Sequence, residues 1–117
     1  MKENKIVGIG EIVWDMLPTG KQLGGAPLNF AYMAKELGAT SYAISAIGND
    51  ELGDETFAKL TGLGVNISAL QTNNLPTGQV LVKIEGEGIP HYDILENVAW
   101  DAIECSQKEL DIVCEAD

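Results

Sequence analysis

The feature of this sequence that most constrains its fold is an alternation between short apolar runs and longer stretches with helical periodicity. Lys5–Gly10 and Ser41–Ile47 have the composition of buried strands, and Val65–Leu70 is predicted as a third, shorter strand. A helical pattern separates each predicted strand from the next. Because parallel strands are joined by crossover helices, the order predicts an α/β fold built on a parallel sheet.

Three helices are predicted. The first begins near Pro27 and stops at Gly38, Asp50 is expected to cap the second, and the third covers Trp100–Ile112. The side chains expected to face the core are Phe30, Met33, Ala34 and Leu37 in the first helix and Phe57, Leu60 and Leu63 in the second. No strand follows the third helix to accept its crossover, so we expect a partial doubly wound sheet.

Two β-hairpins interrupt this pattern. Glu11–Gln22 is predicted to turn at Leu17–Gly20, and Gln79–Glu85 is predicted to return through Pro90–Leu95. Strict alternation in the second hairpin gives it one apolar face, formed by Val80, Val82 and Ile84. Another part of the protein, or a partner, is expected to cover that face.

Charge and hydropathy exclude several classes of function. The 117 residues carry 18 acids and 7 bases, a net charge of −11, and every base is a lysine. A field of this sign repels nucleic acid. No apolar run approaches the roughly 18–20 residues that span a bilayer, and the N-terminus does not resemble a signal peptide. We therefore expect a cytoplasmic protein with no nucleic-acid or membrane partner and with Cys105 and Cys114 reduced.

A glycine-rich segment before the first helix is the best candidate for chemistry. Gly24 and Gly25 would let a ligand approach the main chain and the amides of a helix N-terminus. Asn29 in the first helical turn can both donate and accept hydrogen bonds, as sugar hydroxyls also do. Asp15 lies near the carboxyl end of the first strand, where α/β folds bind ligands. Taken alone, the same residues also fit a tight loop with a capping amide and an exposed hairpin acid.

These residues resemble a known family. Gly24-Gly25-Ala26-Pro27-Leu28-Asn29-Phe30-Ala31, followed by Gly38 and Gly48 at the expected spacing, is similar to the first signature of the ribokinase-type (PfkB) carbohydrate kinases. The short first hairpin and the Gly-Gly-Ala-Pro-x-Asn variant most resemble fructokinases. The resemblance extends over essentially the whole chain, so residues 1–117 are expected to form the N-terminal part of one ribokinase-like domain, truncated before its end.

The resemblance implies phosphoryl transfer from ATP, with Mg²⁺, to a sugar hydroxyl. The matching positions make Asp15, Gly24, Gly25 and Asn29 the expected sugar-binding residues. The hairpins, at about residues 11–23 and 78–97, resemble a small β lid that closes over the sugar and can form a homodimer interface. Weaker sugar-binding candidates on this lid are Gln79, Asp93 and Glu96.

Two departures from the family pattern limit the expected activity. Fructokinases often present an arginine near the position of Glu96, whereas this chain has none, which favours a neutral sugar over an anionic one. The family's second motif, resembling Asp-Thr-x-Gly-Ala-Gly-Asp, supplies the catalytic base and an anion hole, and nothing here matches it. No catalytic, ATP-binding or metal-binding residue is therefore assigned, and the chain alone is expected to be inactive.

Two other interpretations are compatible with the sequence. The chain could belong to a kinase of the same family with another substrate, such as ribose, a nucleoside or 2-keto-3-deoxygluconate. It could also be a sugar-binding or dimerising module without catalysis.

Overall fold

The strands of the protein form two sheets in the computed structural model, which describes residues 3–117. In chain order the strands are β1 (Lys5–Ile9), β2 (Val13–Leu17), β3 (Gly20–Gly24), β4 (Thr40–Gly48), β5 (Leu70–Asn73), β6 (Gly78–Glu85) and β7 (Ile89–Ile94). The parallel sheet has the order β1-β4-β5. The mixed sheet has the order β3-β2-β6-β7, in which β2 and β6 run parallel and the two hairpins are antiparallel. The predicted α/β fold is confirmed.

Helices connect the strands of the parallel sheet, as predicted. In that sheet α1 (Ala26–Glu36) precedes β4 and α2 (Glu51–Leu63) joins β4 to β5, whereas a short 3-10 helix (Ala99–Ala102) and α3 (Gln107–Glu115) follow the last strand. Asp50 caps α2, since its carboxylate accepts a hydrogen bond from the Gly53 amide at 2.8 Å. The predicted cap is therefore confirmed, and it satisfies one of the amides left unpaired at the start of a helix.

The start of α1 packs unusually close to β1. A Cβ atom at Gly8 would overlap the carbonyl oxygen of Pro27, so only glycine allows this approach. Deeper in the same interface, buried Ala31, Ala43 and Val65 form an apolar cluster between α1 and the sheet. Small side chains on both surfaces therefore set the short distance between helix and sheet.

This packing corrects the predicted inner face of α1. Phe30, Met33 and Leu37 are 55%, 58% and 86% exposed, whereas Leu28 and Ala31 are buried. The helix has apolar side chains on more than one side, and the close approach at β1 selects the side that carries the smaller residues. Phe30 instead lines a groove of about 390 Å³ along β1, bordered by α1 and α3.

The predicted inner face of α2 is correct in part. Leu60 is fully buried and Leu63 half-buried, but Phe57 is exposed. Thr56 takes the inward position next to it and is fully buried. Its hydroxyl accepts a hydrogen bond from Trp14 Nε1 at 2.9 Å, which explains why a polar side chain is preferred there.

Two predicted boundaries are wrong. Val65–Leu70 is predicted as a strand, yet Asn66 makes only an isolated bridge to Tyr42, and β5 begins where the predicted strand ends. The predicted helix at Trp100–Ile112 is two helices. Ser106 supplies a capping box that starts α3 afresh, because the chain becomes extended after the 3-10 helix.

The apolar face of the second hairpin is covered within the chain over most of its length. Val80 and Val82 are buried in a cluster with Val13, and Trp100 packs against them. Ile84, beyond this cluster, is 60% exposed. The expectation that this face needs a cover is therefore correct for two of its three residues, and Trp100 contributes to the cover.

Candidate functional site

Asp15 lies in the middle of β2, next to the glycine that ends β3. The strand register pairs Asp15 with Gln22 on one side and with Val80 on the other. A Cβ atom at Gly24 would lie 3.2 Å from Asp15 Oδ2, so a larger residue there would crowd the carboxylate. The structure thus brings Asp15 and Gly24 together at the entrance to α1. A carboxylate in this position can accept hydrogen bonds from ligand hydroxyls.

Gly25 is the N-cap of α1, next to Gly24 in the chain, and Asn29 lies in the first turn of the helix. Gly25 has φ +112°, and a Cβ atom there would lie 2.5 Å from the carbonyl oxygen of Glu11, so the backbone itself requires glycine. The backbone N–H of Asn29 donates to the carbonyl oxygen of Gly25 at 3.0 Å, which places Asn29 in the first turn. Its side chain is exposed. The first-turn amides of α1 and the Asn29 side chain can therefore face a polar ligand.

The lid candidates Gln79 and Asp93 lie on the other face of the mixed sheet. Gln79 is in register with Trp14, and Asp93 is in register with Leu81. Because successive side chains of a strand alternate between faces, both point away from the face that carries Asp15. Glu96 follows β7 and is exposed. The structure therefore places Asp15 next to Gly24 at the entrance to α1, where Gly25 and Asn29 also lie, and it puts Gln79 and Asp93 on the opposite face of the mixed sheet.

Two polar contacts attach the mixed sheet to α2. Trp14 Nε1 donates to Thr56 Oγ1, and this threonine in turn donates to the carbonyl oxygen of Leu52 at 2.6 Å. At the surface, Lys21 Nζ lies 2.8 Å from a Glu55 carboxylate oxygen and 5.5 Å from the centroid of the Trp14 ring. The strand that carries Asp15 is thereby fixed to α2 by its opposite face.

A further polar contact, which the sequence interpretation missed, joins the N-terminus of α2 to the residue before β6. Thr77 donates to Asp50 through both its hydroxyl and its amide, at 2.6 and 2.9 Å. Burial raises the pKa of Asp50, but the hydrogen bonds from Thr77 and Gly53 lower it by more. Together these effects hold the pKa of Asp50 below its ordinary value of 3.8. The only sequence signals were the Gly48-Asn49-Asp50 and Thr77-Gly78 steps, because Asp50 and Thr77 are distant in the chain.

The remaining chemistry-bearing side chains suggest no further centre. Among residues 3–117, no three or more His, Cys, Asp or Glu side chains are grouped so that they could hold a metal ion. Both Cys105 and Cys114 are free and exposed. In this part of the chain, no helix has the length and apolar character needed to cross a membrane. We assign no metal ligand to the chain.

Comparison with known proteins identifies the family. The pattern of the pfkB family carbohydrate kinases matches residues 9–114. The chain belongs to this family. The family predicted from the glycine-rich signature is therefore confirmed, and the α/β architecture is the one that solved pfkB structures share.

Named pfkB relatives differ in substrate. An ATP-dependent 6-phosphofructokinase from Thermoanaerobacterium thermosaccharolyticum is 32% identical over 92 residues, which are 69% of this chain and 29% of that protein. The uncharacterized sugar kinase of Pyrococcus horikoshii, solved in complex with ATP, is 29% identical with a TM-score of 0.80, covering 95% of this chain and 40% of that one. Fructokinase from Vibrio cholerae O395 shares the fold at 24% identity and a TM-score of 0.76, covering 84% and 36%.

These pfkB relatives are much longer than the chain. The 117 residues span 29% of the phosphofructokinase and 39% of the Pyrococcus kinase. Their names include kinases for different sugars, so they do not single out fructokinase. The family is therefore shown, whereas the substrate and the activity of a whole protein are matters for proposal.

Proposed function

We propose that this chain forms the sugar-binding part of an ATP-dependent carbohydrate kinase that phosphorylates fructose or a related sugar. The observation that carries the proposal is the Asp15 carboxylate, whose Oδ2 lies 3.2 Å from the position a Cβ atom would take at Gly24. An anionic acceptor beside a helix N-terminus, with no side chain between them, suits a ligand rich in hydroxyl groups.

Each signature residue has a proposed role. Asp15 accepts hydrogen bonds from two sugar hydroxyls. The side-chain amide of Asn29 donates to one sugar oxygen and accepts from another hydroxyl. Gly24 and Gly25 let the sugar ring approach the main chain. Gln79, Asp93 and Glu96 are a weaker part of the proposal, because Gln79 and Asp93 lie on the sheet face opposite Asp15, and Glu96 follows the last strand.

ATP and Mg²⁺ are proposed for the protein that contains this chain, in the cytoplasm. The Pyrococcus relative was solved with ATP, which supports the nucleotide. Phosphoryl transfer needs positioning and charge neutralisation at the transferred group, which Mg²⁺ supplies when bound. No residue of this chain is assigned to either ligand. The chain's own residues orient the acceptor hydroxyl, and the mixed sheet, acting as a lid, excludes competing water.

The test is sugar binding by the full chain and by two charge-matched variants. D-fructose is titrated into the wild-type protein while backbone amide signals are followed by NMR. We expect shifts at Asp15 and Asn29, and at least tenfold weaker binding for Asp15→Asn, because the amide removes the anionic acceptor. Glu85→Gln, on the opposite sheet face, removes the same charge and should bind like the wild type. Equal binding by the two variants would contradict the assigned site.

The same samples test catalysis. With D-fructose, ATP and Mg²⁺ we expect no sugar-dependent ADP from this chain alone, because no catalytic base or anion hole is assigned within it. Sugar-dependent ADP formation would contradict this division of roles. If the chain binds sugar and no continuation of its reading frame encodes a Gly-Ala-Gly-Asp motif, the non-catalytic sugar-binding module becomes the better interpretation.

A different substrate within the family is the second candidate. The 32% identical relative is a 6-phosphofructokinase, which favours a sugar phosphate. Against it, the chain has no arginine, and Glu96 occupies the position where an arginine is common in fructokinases. A binding panel of fructose, fructose 6-phosphate, ribose, a nucleoside and 2-keto-3-deoxygluconate decides between these sugars. Tighter binding of fructose 6-phosphate than of fructose would reject the neutral substrate.

We also propose that the mixed sheet forms a homodimer. Large apolar side chains are exposed on β6 and β7, the outer pair of this sheet; they are Ile84, Ile89, Tyr92 and Ile94. Sedimentation equilibrium should give twice the chain mass of 12.5 kDa. The charge introduced by Ile94→Lys should shift that mass towards the monomer. A monomeric wild type at high micromolar concentration would reject this interface.

A further inference from the structure

Thr77 occupies the joint between the two sheets. It follows the loop after β5, directly precedes β6, and is fully buried. Its hydroxyl accepts a hydrogen bond from the Gly48 amide at 2.9 Å and donates to Asp50 Oδ1 at 2.6 Å, while its own amide donates to Asp50 Oδ2 at 2.9 Å. One residue thus contacts the end of β4, the start of α2 and the start of β6.

Asp50 uses both carboxylate oxygens at this joint. Oδ1 also accepts from the Gly53 amide at 2.8 Å, so the same group that caps α2 holds Thr77. Hydrogen bonds to a charged acceptor are about twice as strong as those between neutral groups. The position of β6 is therefore tied to the N-terminus of α2, and not only to its neighbours in the mixed sheet.

Backbone segments around this joint are in direct contact with one another, and glycines make this close approach possible. A Cβ atom at Gly48 would overlap the carbonyl oxygen of Leu75, and one at Gly53 would overlap the carbonyl oxygen of Gly48. At Gly78, the first residue of β6, a Cβ atom would lie 2.8 Å from the carbonyl oxygen of Ile12. Because these segments are in direct backbone contact, a displacement of Thr77 must displace the start of β6.

The start of β6 in turn sets the strand that carries Asp15. Gly78 is in register with Val13, and Val80 is in register with Asp15. We propose that Asp50 and Thr77 are positioning residues for the candidate sugar site: through β6 they hold β2, and with it Asp15, against the start of α1. This role rests on the proposed function, but the placement of β2 and β6 is measurable without any sugar.

The experiment compares Thr77→Val with Thr77→Ser in the full chain, by amide hydrogen exchange resolved by NMR. Valine keeps the shape of threonine and removes the hydroxyl, so we expect exchange in β2 and β6 to accelerate at least tenfold. Residues 40–47 of β4 should change less than twofold; Gly48 is left out of this comparison because its own amide donates to the Thr77 hydroxyl. Serine restores the hydroxyl and should remain within twofold of the wild type in all three strands. Thr72→Val, which removes an exposed hydroxyl on β5, is the matched control and should behave like the wild type.

Asp50→Asn provides a second variant if Thr77→Val does not fold. The asparagine Oδ1 can still accept from Gly53, but its amide group replaces the oxygen that accepts from the Thr77 N–H, so β2 and β6 should again exchange faster than β4. The proposal is overturned if exchange in β2 and β6 is unchanged, if β4 accelerates equally, or if serine fails to restore the wild-type rates.

Titration with D-fructose separates this proposal from the proposed function. If the wild type binds fructose, Thr77→Val should weaken binding about five- to tenfold and Thr77→Ser should restore it; equal affinities would overturn the positioning role. If the wild type binds no sugar of the panel, the proposed function fails for this chain. The exchange pattern still decides whether Asp50 and Thr77 place the strand of Asp15.

Discussion

The two sheets of this protein differ in the contacts described for their attachment to α2. The parallel sheet is covered by α1 and α2 through apolar contacts, among which Leu60 is fully buried. The mixed sheet is attached to α2 by two polar pairs, the buried pair of Trp14 with Thr56 and the partly buried pair of Asp50 with Thr77, and β7 is exposed along its whole length. Apolar packing is strong but not directional, whereas a hydrogen bond requires a defined geometry. We therefore expect apolar packing to contribute more to stability and the polar pairs to set the placement of the mixed sheet.

The largest expected loss of stability comes from truncating a buried apolar side chain of α2. Leu60→Ala should lower the free energy of unfolding by about 2–5 kcal/mol, because it leaves a cavity in the cluster with Ile12 and Leu28. Urea denaturation followed by circular dichroism measures the change. Phe57→Ala, which truncates a larger but exposed side chain on the same helix, is the control and should cost less than about 1 kcal/mol. Equal losses would show that the buried face of α2 is wrongly assigned.

An intermediate effect is expected at the first polar pair. Thr56→Val keeps the volume of the side chain but leaves the buried Trp14 N–H without its acceptor, which should cost about 1–3 kcal/mol. Urea denaturation followed by tryptophan fluorescence measures the loss. Thr61→Val removes an exposed hydroxyl that bonds only to the Phe57 carbonyl oxygen of the same helix, and should be nearly neutral. A neutral Thr56→Val would mean that the pair does not attach β2.

The smallest expected effect depends on pH. Because the pKa of Asp50 is lowered on folding, its contribution is complete above the ordinary value of 3.8 and is lost as the pH falls through the lower folded-state value. Asp50→Asn should therefore cost about 1–2 kcal/mol at pH 6, and the difference from wild type should shrink below pH 3.8. Glu51 and Asp54, the acids in the first turn of the helix, are present in both proteins. A difference that stays constant down to about pH 2 would contradict the assignment.

The parts of the fold that could be predicted are those set by neighbouring residues in the sequence. The alternation of apolar and polar residues and the turn residues predicted both hairpins, and the apolar composition predicted β1 and β4. The exposed side of α1 could not be predicted in this way, because Phe30 and Met33 have the spacing of an inner face, and only the contact between Gly8 and Pro27 decides which side is buried. Burial of Thr56 depends in the same manner on a partner 42 residues away.

In the candidate site, too, some features follow from the sequence and others depend on contacts between distant residues. The resemblance to the family predicted that Asp15 and Gly24 share one site, and the structure places them side by side. It could not predict that Gln79 and Asp93 face away from Asp15, because that depends on the register of β2 with β6. The role of Thr77 was also hidden, because a single threonine before a glycine carries no local signal until its acceptor, Asp50, is known.

The parallel pairing of β2 with β6 has a consequence for the order of folding. Val13 meets Gly78 65 residues later in the chain, with β3, α1, β4, α2 and β5 between them. Closing a loop of that length is entropically costly until the intervening elements have compacted, and such long-range pairings form slowly. We therefore expect the hairpin of β2 and β3, whose contacts are local, to form before β6 pairs with it. In that interval we expect Val13 to lack its cover from β6 and to be exposed to water, which favours aggregation.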